Sequence, residues 1–184
     1  MSTLPPEEER FAKNVNVLVT SLHENIINLN KRGYNTVNPA LVSIAAAVVQ
    51  GMNKHYLIKG FIEKSHHECW DAIHRHDEDF FMSHAGDVFS FLPVDHVNIF
   101  IELFRTVDHN GYTVISPDIK EQFWELFEAL VKISIKYIHK HREPYSTATP
   151  EGVINTYRTN FMDTIDIQRH SSKWKVRLEF PMNI

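Results

Sequence analysis

Between Ser116-Pro117 and Glu143-Pro144 the chain holds one long uninterrupted stretch. Its apolar set includes Ile119, Phe123, Trp124, Phe127, Leu130, Val131, Ile135, Tyr137 and Ile138. Ser followed by Pro is a helix start, because the serine side chain can cap and proline suits the first helical turn. At about 100° per residue, this apolar set covers more than half of the helix circumference. One neighbouring helix cannot cover so wide an arc. The expectation is a helix gripped on two sides, one of them by a second subunit, with Trp124, Val131, Ile135 and Ile138 at that contact together with Trp174 from the chain's far end.

The remainder of the chain reads mostly as helix too. Glu7-Glu8-Glu9 suits the positive end of a helix, and Phe11, Val15, Leu18, Leu22, Ile26 and Leu29 follow at steps of three and four. This predicts an amphipathic helix from about Glu7 to Lys31, stopped by Gly33. Its near-heptad spacing, with Asn14 and Asn25 on the flank, fits packing within its own domain better than pairing between subunits. Asn38-Pro39 opens a second helix in which Ala40–Val49 is apolar except for Ser43. Apolar all round, it is expected at the centre of the protein; at ~10 residues it is too short to cross a bilayer.

Residues 56–82 carry Ile58, Phe61, Ile62, Cys69, Ala72, Ile73 and Phe80 on one helical side, with a break expected around Asp77–Asp79 and a second segment running to Phe91. Val97, Phe100, Ile101 and Phe104 mark a further helix after Asp95. Asn110-Gly111 between β-branched flanks predicts a small hairpin over about 105–115, and the alternation of Trp174–Phe180 predicts a strand over about 173–180. The expected fold is therefore mainly α: a single-domain multi-helix bundle over 1–144, with that hairpin, and a C-terminal extension over 145–184 carrying a short helix and the strand.

The charge is −4 and the sequence pI about 6.3, which argues against a wholesale nucleic-acid binder. Cys69 is the only cysteine, no Asn-x-Ser/Thr acceptor occurs and no apolar leader follows Met1, so a reducing compartment rather than secretion is expected.

The stretch richest in reactive groups is His66–Asp79. Here His67, Asp71, His74 and Glu78 follow at i, i+4, i+7 and i+11, one face of a continuous helix, and imidazole with carboxylate suits Zn or Fe. Against a metal site, these groups point away from the helix's apolar side, no His-x-x-x-His occurs and no zincin pattern is present. A solvated face of acid–imidazole pairs is the stronger reading. His76 falls inside the apolar stripe and is expected to be a core histidine with one hydrogen-bond partner; a buried proton switch is the sharper alternative. Asp108–Gly111 lacks calcium-loop spacing and reads as a turn. Lys132, Lys136, Lys140 and Arg142 form a basic helix end. It could contact nucleic acid, but its place at a helix C-terminus accounts for it without a ligand. No nucleophile elbow or phosphate-binding glycine loop occurs, which disfavours an enzyme.

Several phrases resemble uncharacterised helical proteins of large nucleocytoplasmic DNA viruses, including amoeba-infecting ones: Phe61–His66 (FIEKSH), Trp70-Asp71, Asp77–Phe81 (DEDFF), Leu92-Pro93 and Leu130–His139 (LVKISIKYIH). The resemblance spans residues 55–144 and carries no site residue. It implies a small viral protein, packaged in the virion or acting in the host cytoplasm or nucleus, that works through association. The function expected from all of this is a non-enzymatic structural or host-interaction protein, self-associating as a homodimer, with host or virion proteins as further partners. Metal binding by residues 63–78 and nucleic-acid binding by residues 132–142 are the alternatives.

Overall fold

A computed structural model describes residues 6–34, 38–65, 67–90, 92 and 94–141. Seven helices make up most of the described residues: α1 (Glu7–Lys31), α2 (Pro39–Gly51), α3 (Lys54–Lys64), α4 (His67–Arg75), α5 (Glu78–Val88), α6 (Val94–Arg105) and α7 (Pro117–Lys140). The mainly helical expectation therefore holds.

Most helix ends follow from local chemistry. Asn38 accepts a hydrogen bond from the Ala40 amide, Asn53 from those of His55 and Tyr56, Asp77 from that of Phe80 and Ser116 from that of Ile119. Each satisfies an amide that a helix start leaves unpaired. Gly33 stops α1 in the left-handed region, at φ 90°, with Tyr34 N bonded to Leu29 O and Gly33 N to Asn30 O. This paired closure is the Schellman motif.

α4 ends in the same way, but on a histidine. His76 has φ 53°, Asp77 N bonds to Ala72 O at 2.9 Å and His76 N to Ile73 O at 3.1 Å. The segment expected as one helix from Tyr56 to about Asp77 also breaks earlier, at Ser65. There the Ser65 hydroxyl donates back to the Phe61 carbonyl and receives the Trp70 indole N–H at 2.6 Å. A serine bonded to its own backbone competes with helix continuation, and the buried indole fixes the bend.

α7 is the centre of the bundle. α1, α3 and α4 pack on it, and its Phe127 sits against Phe81 and Phe89 from the α5 region and Phe100 from α6, with ring centroids 4.8, 6.0 and 5.4 Å away. Trp124, Val131, Ile135 and Ile138 are all buried. The arc that suggested a second subunit is covered by helices of the same chain. Trp174 lies outside the described residues, as does the expected C-terminal strand.

α2 corrects the expectation in the opposite sense. It is not central: it packs on α1 and, more lightly, on α6. Val42, Ala45 and Val49 face inward, while Leu41, Ile44 and Val48 are exposed on the other side. A helix apolar on every face carries no polar stripe to mark its outer surface, so the sequence could not say which side would be left uncovered.

The expected hairpin is also absent. A single antiparallel bridge, Val107↔Thr113, closes the loop after α6, and no strand is present among the described residues. Thr106 is still bonded to Glu102 in the last turn of α6, and Ser116 already caps α7. The backbone crosses the loop twice, Asp108 N to Tyr112 O at 2.7 Å and Val114 N to Thr106 O at 3.0 Å, which makes one bridge and no ladder. The Asp108 carboxylate instead accepts from the amides of Asn110 and Tyr112, with Gly111 at φ 83°; the sequence's turn reading is what forms.

The left-handed His76 makes an unusual prediction. A Cβ in this region costs about 1–2 kcal/mol that glycine avoids. His76→Gly is therefore expected to be the more stable of two truncations, with His76→Ala lower by about 1 kcal/mol, reversing the usual helix order. Urea unfolding followed by circular dichroism checks it; equal stabilities would show that the helix end relaxes.

Candidate functional site

The four residues that suggested a metal do not form one face. The histidine-ended stop after α4 puts Glu78 on a separate helix, where its carboxylate holds Lys120 Nζ at 2.7 and 2.9 Å. Asp71 pairs with Arg75 at 3.2 Å, and His74 is half-buried on α4. His67 opens α4, and its side chain lies outside the described residues. Among the described residues, no three His, Cys, Asp or Glu side chains come together as a metal would require. Positions i to i+11 share a face only along an unbroken helix, and here the helix stops at His76.

His76 has more polar company than a core histidine. Its Nε2 lies 3.2 Å from Glu128 Oε1 and its Nδ1 3.4 Å from Glu121 Oε2. Its ring stacks on Trp124 at 5.3 Å, with planes 6° apart. The proton-switch reading required an apolar wall around this imidazole, and two carboxylates stand there instead. Burial pushes the Glu128 carboxyl above the usual range, against the opposing influence of His76 and Lys132.

A second polar cluster joins three helix ends. Tyr137 Oη on α7 lies 3.2 Å from Glu8 Oε1 on α1 and 2.8 Å from His55 Nδ1 on α3, and that nitrogen is 3.1 Å from the same Glu8 oxygen. Glu7 meets Lys140 at 3.1 Å and Glu9 meets Lys54 at 3.5 Å. Each acid of the first turn thus grips a different position. Burial works against charge on Glu7, but a backbone hydrogen bond, Lys140 and Arg10 outweigh it and hold its carboxyl below the usual range.

The basic residues expected at the end of α7 separate into different environments. Lys140 is taken by Glu7 and Arg142 lies outside the described residues. Lys132 is half-buried beside Glu128, and burial pushes its ammonium pKa down to about 8, with Glu128 opposing and Lys136 adding to the fall. Lys136 is also lowered, first by burial and then by the Arg10 charge. The sequence reading missed Arg10. It is only 6% exposed, on the face of α1 that carries Asn14, whose side chain donates to the Arg10 carbonyl. Its signal was available: Arg10 lies one turn before a position in the buried register of α1, where a charge is out of place.

The remaining feature is the outer face of α2. Leu41, Ile44 and Val48 are 48%, 57% and 39% exposed, and no residue of Pro39–Gly51 carries a charge. The sequence signal for this face was the apolar run itself, read as central rather than peripheral. No protein-family model matches this chain, and no curated protein or solved structure is detectably similar to it.

Lys132 gives a pH prediction whose sign is fixed. Its folded pKa is below that of the unfolded chain, so folding favours the neutral amine. That contribution is complete above the unfolded value, near 10.4, and is lost as pH falls through about 8. Lys132→Met should therefore stabilise the protein at pH 7 by about 1–2 kcal/mol, allowing for the side chain's partial exposure. The advantage should shrink toward pH 10. Thermal unfolding at the two pH values checks it, and a constant difference would contradict it.

Proposed function

We propose that this chain is a non-enzymatic helical protein that acts by self-association, with α2 of one copy packed against α2 of a second. The supporting observation is the exposed stripe Leu41–Ile44–Val48 on a helix with no charged residue. These three residues follow at steps of three and four, so they form one continuous ridge. A two-fold contact brings a surface against itself, and a charged surface would meet its own charge there. An uncharged one meets none. Exposed Ala40 and Ala47 on the same helix leave room for a close approach, and Ser43, bonded to His23 at 3.2 Å, supplies a polar margin.

The non-catalytic part of the reading is supported by how the reactive side chains are used. Glu8, His55 and Tyr137 satisfy one another, as do His76 and Glu128, and Glu78 is committed to Lys120. Each group lies where it fastens two helices together. Among the described residues no helix is long and apolar enough to cross a membrane. The viral setting, as a structural or host-directed component, rests on the resemblance of residues 55–144 alone.

Light scattering from micromolar to near-millimolar protein tests the contact. The wild-type chain is expected to reach twice its own mass, and Ile44→Glu to remain a monomer with unchanged helicity, since the new carboxylate sits at an exposed position. A wild-type chain that stays monomeric at the highest concentration would contradict the proposal, as would an Ile44→Glu dimer.

A further inference from the structure

Beneath α2, inside the bundle, lies a cavity of about 60 Å³. α1 lines it from Phe11 to Leu22, a run of ~16 Å along the helix. α7 contributes Phe127 and Leu130, and α6 contributes Val97 and Phe100. On the α2 side the wall is built from Ala45 and Val49, the inward counterparts of the exposed Leu41, Ile44 and Val48. These two side chains are too short to reach the rings opposite, and the space stays open. Protein cores ordinarily leave few voids larger than a water molecule, so a cavity of this size is a feature of the fold.

The lining says what the cavity suits. Among the described residues it consists of Phe, Leu, Val and Ala alone. Water is a poor occupant, because a buried water needs about two to four polar partners. An apolar guest needs none. A water-sized group takes about 10–15 Å³ of such space, which gives room for about four to six groups. Spread along α1, so few groups lie in single file. Val19 on α1 and Leu92 in the turn before α6 are half-buried, while the other lining residues are buried. The way in is therefore beside these two.

We propose that this cavity binds the end of an unbranched alkyl chain, the tail of a small amphiphile such as a medium-chain alcohol or fatty acid. The tail enters past Val19 and Leu92 and lies along α1. The head group stays at the mouth, since the lining offers it no hydrogen bond. A ring of similar volume fits less well, because it needs width where the cavity offers length. The site is internal and stands whether or not two copies pair through α2.

Methyl-resolved NMR titration of the whole chain tests the proposal, with butanol, hexanol, octanol and decanol as straight-chain primary alcohols and with octanoate. Saturable shifts are expected at the methyl groups of Val15, Leu18 and Val49. Affinity should climb by up to about fourfold per added carbon and level off by octanol, when the cavity is full. Octanol against octanoate then identifies whether the tail of an alcohol or of an acid is preferred. Ala45→Leu fills the space and Val19→Phe narrows the mouth, and each should weaken octanol binding at least tenfold. Val19 is half-buried, so its variant keeps the readout even where Ala45→Leu displaces α2. The proposal is overturned by the absence of saturable shifts with every probe, or by equal affinity in wild type and both variants. Shifts confined to Leu41, Ile44 and Val48 would overturn it too, as adsorption on the outer face of α2. So would an affinity still climbing at the same rate from octanol to decanol, or tighter binding of benzyl alcohol than of hexanol.

Discussion

The fold depends on one helix that buries a wide apolar arc and keeps only a solvent stripe through Gln122 and Lys136. α7 presents apolar residues over an arc too wide for one partner, and burying a large apolar side chain stabilises by about 1.5–3 kcal/mol. The arrangement that captures this gain surrounds α7. Phe123 and Phe127 face the aromatic residues of α5 and α6, Trp124 meets the end of α4, and the later turns lie against α1 and α3. With the centre taken, α2 can reach the core only from outside α1. The exposed ridge of α2 and the buried arc of α7 are thus two consequences of the same packing.

Polar contacts then set the register of what packing brings together. The first turn of α1 holds three consecutive glutamates, and they reach the end of α7, the start of α3 and the Tyr137 hydroxyl. Exposed pairs of this kind contribute up to about 1 kcal/mol each, so they do not hold the bundle together. They select which turn of α1 faces which turn of α7. His76 has a similar part where the end of α4 meets α7: stacking on Trp124 and two glutamates hold a non-glycine residue in the left-handed region.

Local chemistry was legible in the sequence. Gly33, Asn38-Pro39, Asp77 and Ser116-Pro117 mark helix ends where the structure has them, because a cap depends on residues only a few positions apart. The break at Ser65 was missed because it needs Trp70 to close it, and serine alone is a weak signal. Partner choice was not legible. The width of the α7 arc was read correctly, yet nothing in it says whether the cover comes from the same chain or another. The uniform apolarity of α2 hid its outer side. His67, Asp71, His74 and Glu78 looked like one face only while the helix was taken as continuous, and the stop at His76 is set by tertiary contacts with α7. Arg10 was passed over because a single arginine in an amphipathic helix is ordinarily a surface residue.

The central claim is that α7 is covered by its own chain and α2 is left to meet another. Carbene footprinting with a photoactivated diazirine, read by mass spectrometry across a dilution series, addresses both halves in one experiment. The expected result is strong labelling of Leu41, Ile44 and Val48 in dilute protein that fades as concentration rises, with Trp124, Val131, Ile135 and Ile138 unlabelled throughout. Labelling of these α7 residues in dilute protein, lost on concentration while α2 stays unchanged, would contradict it.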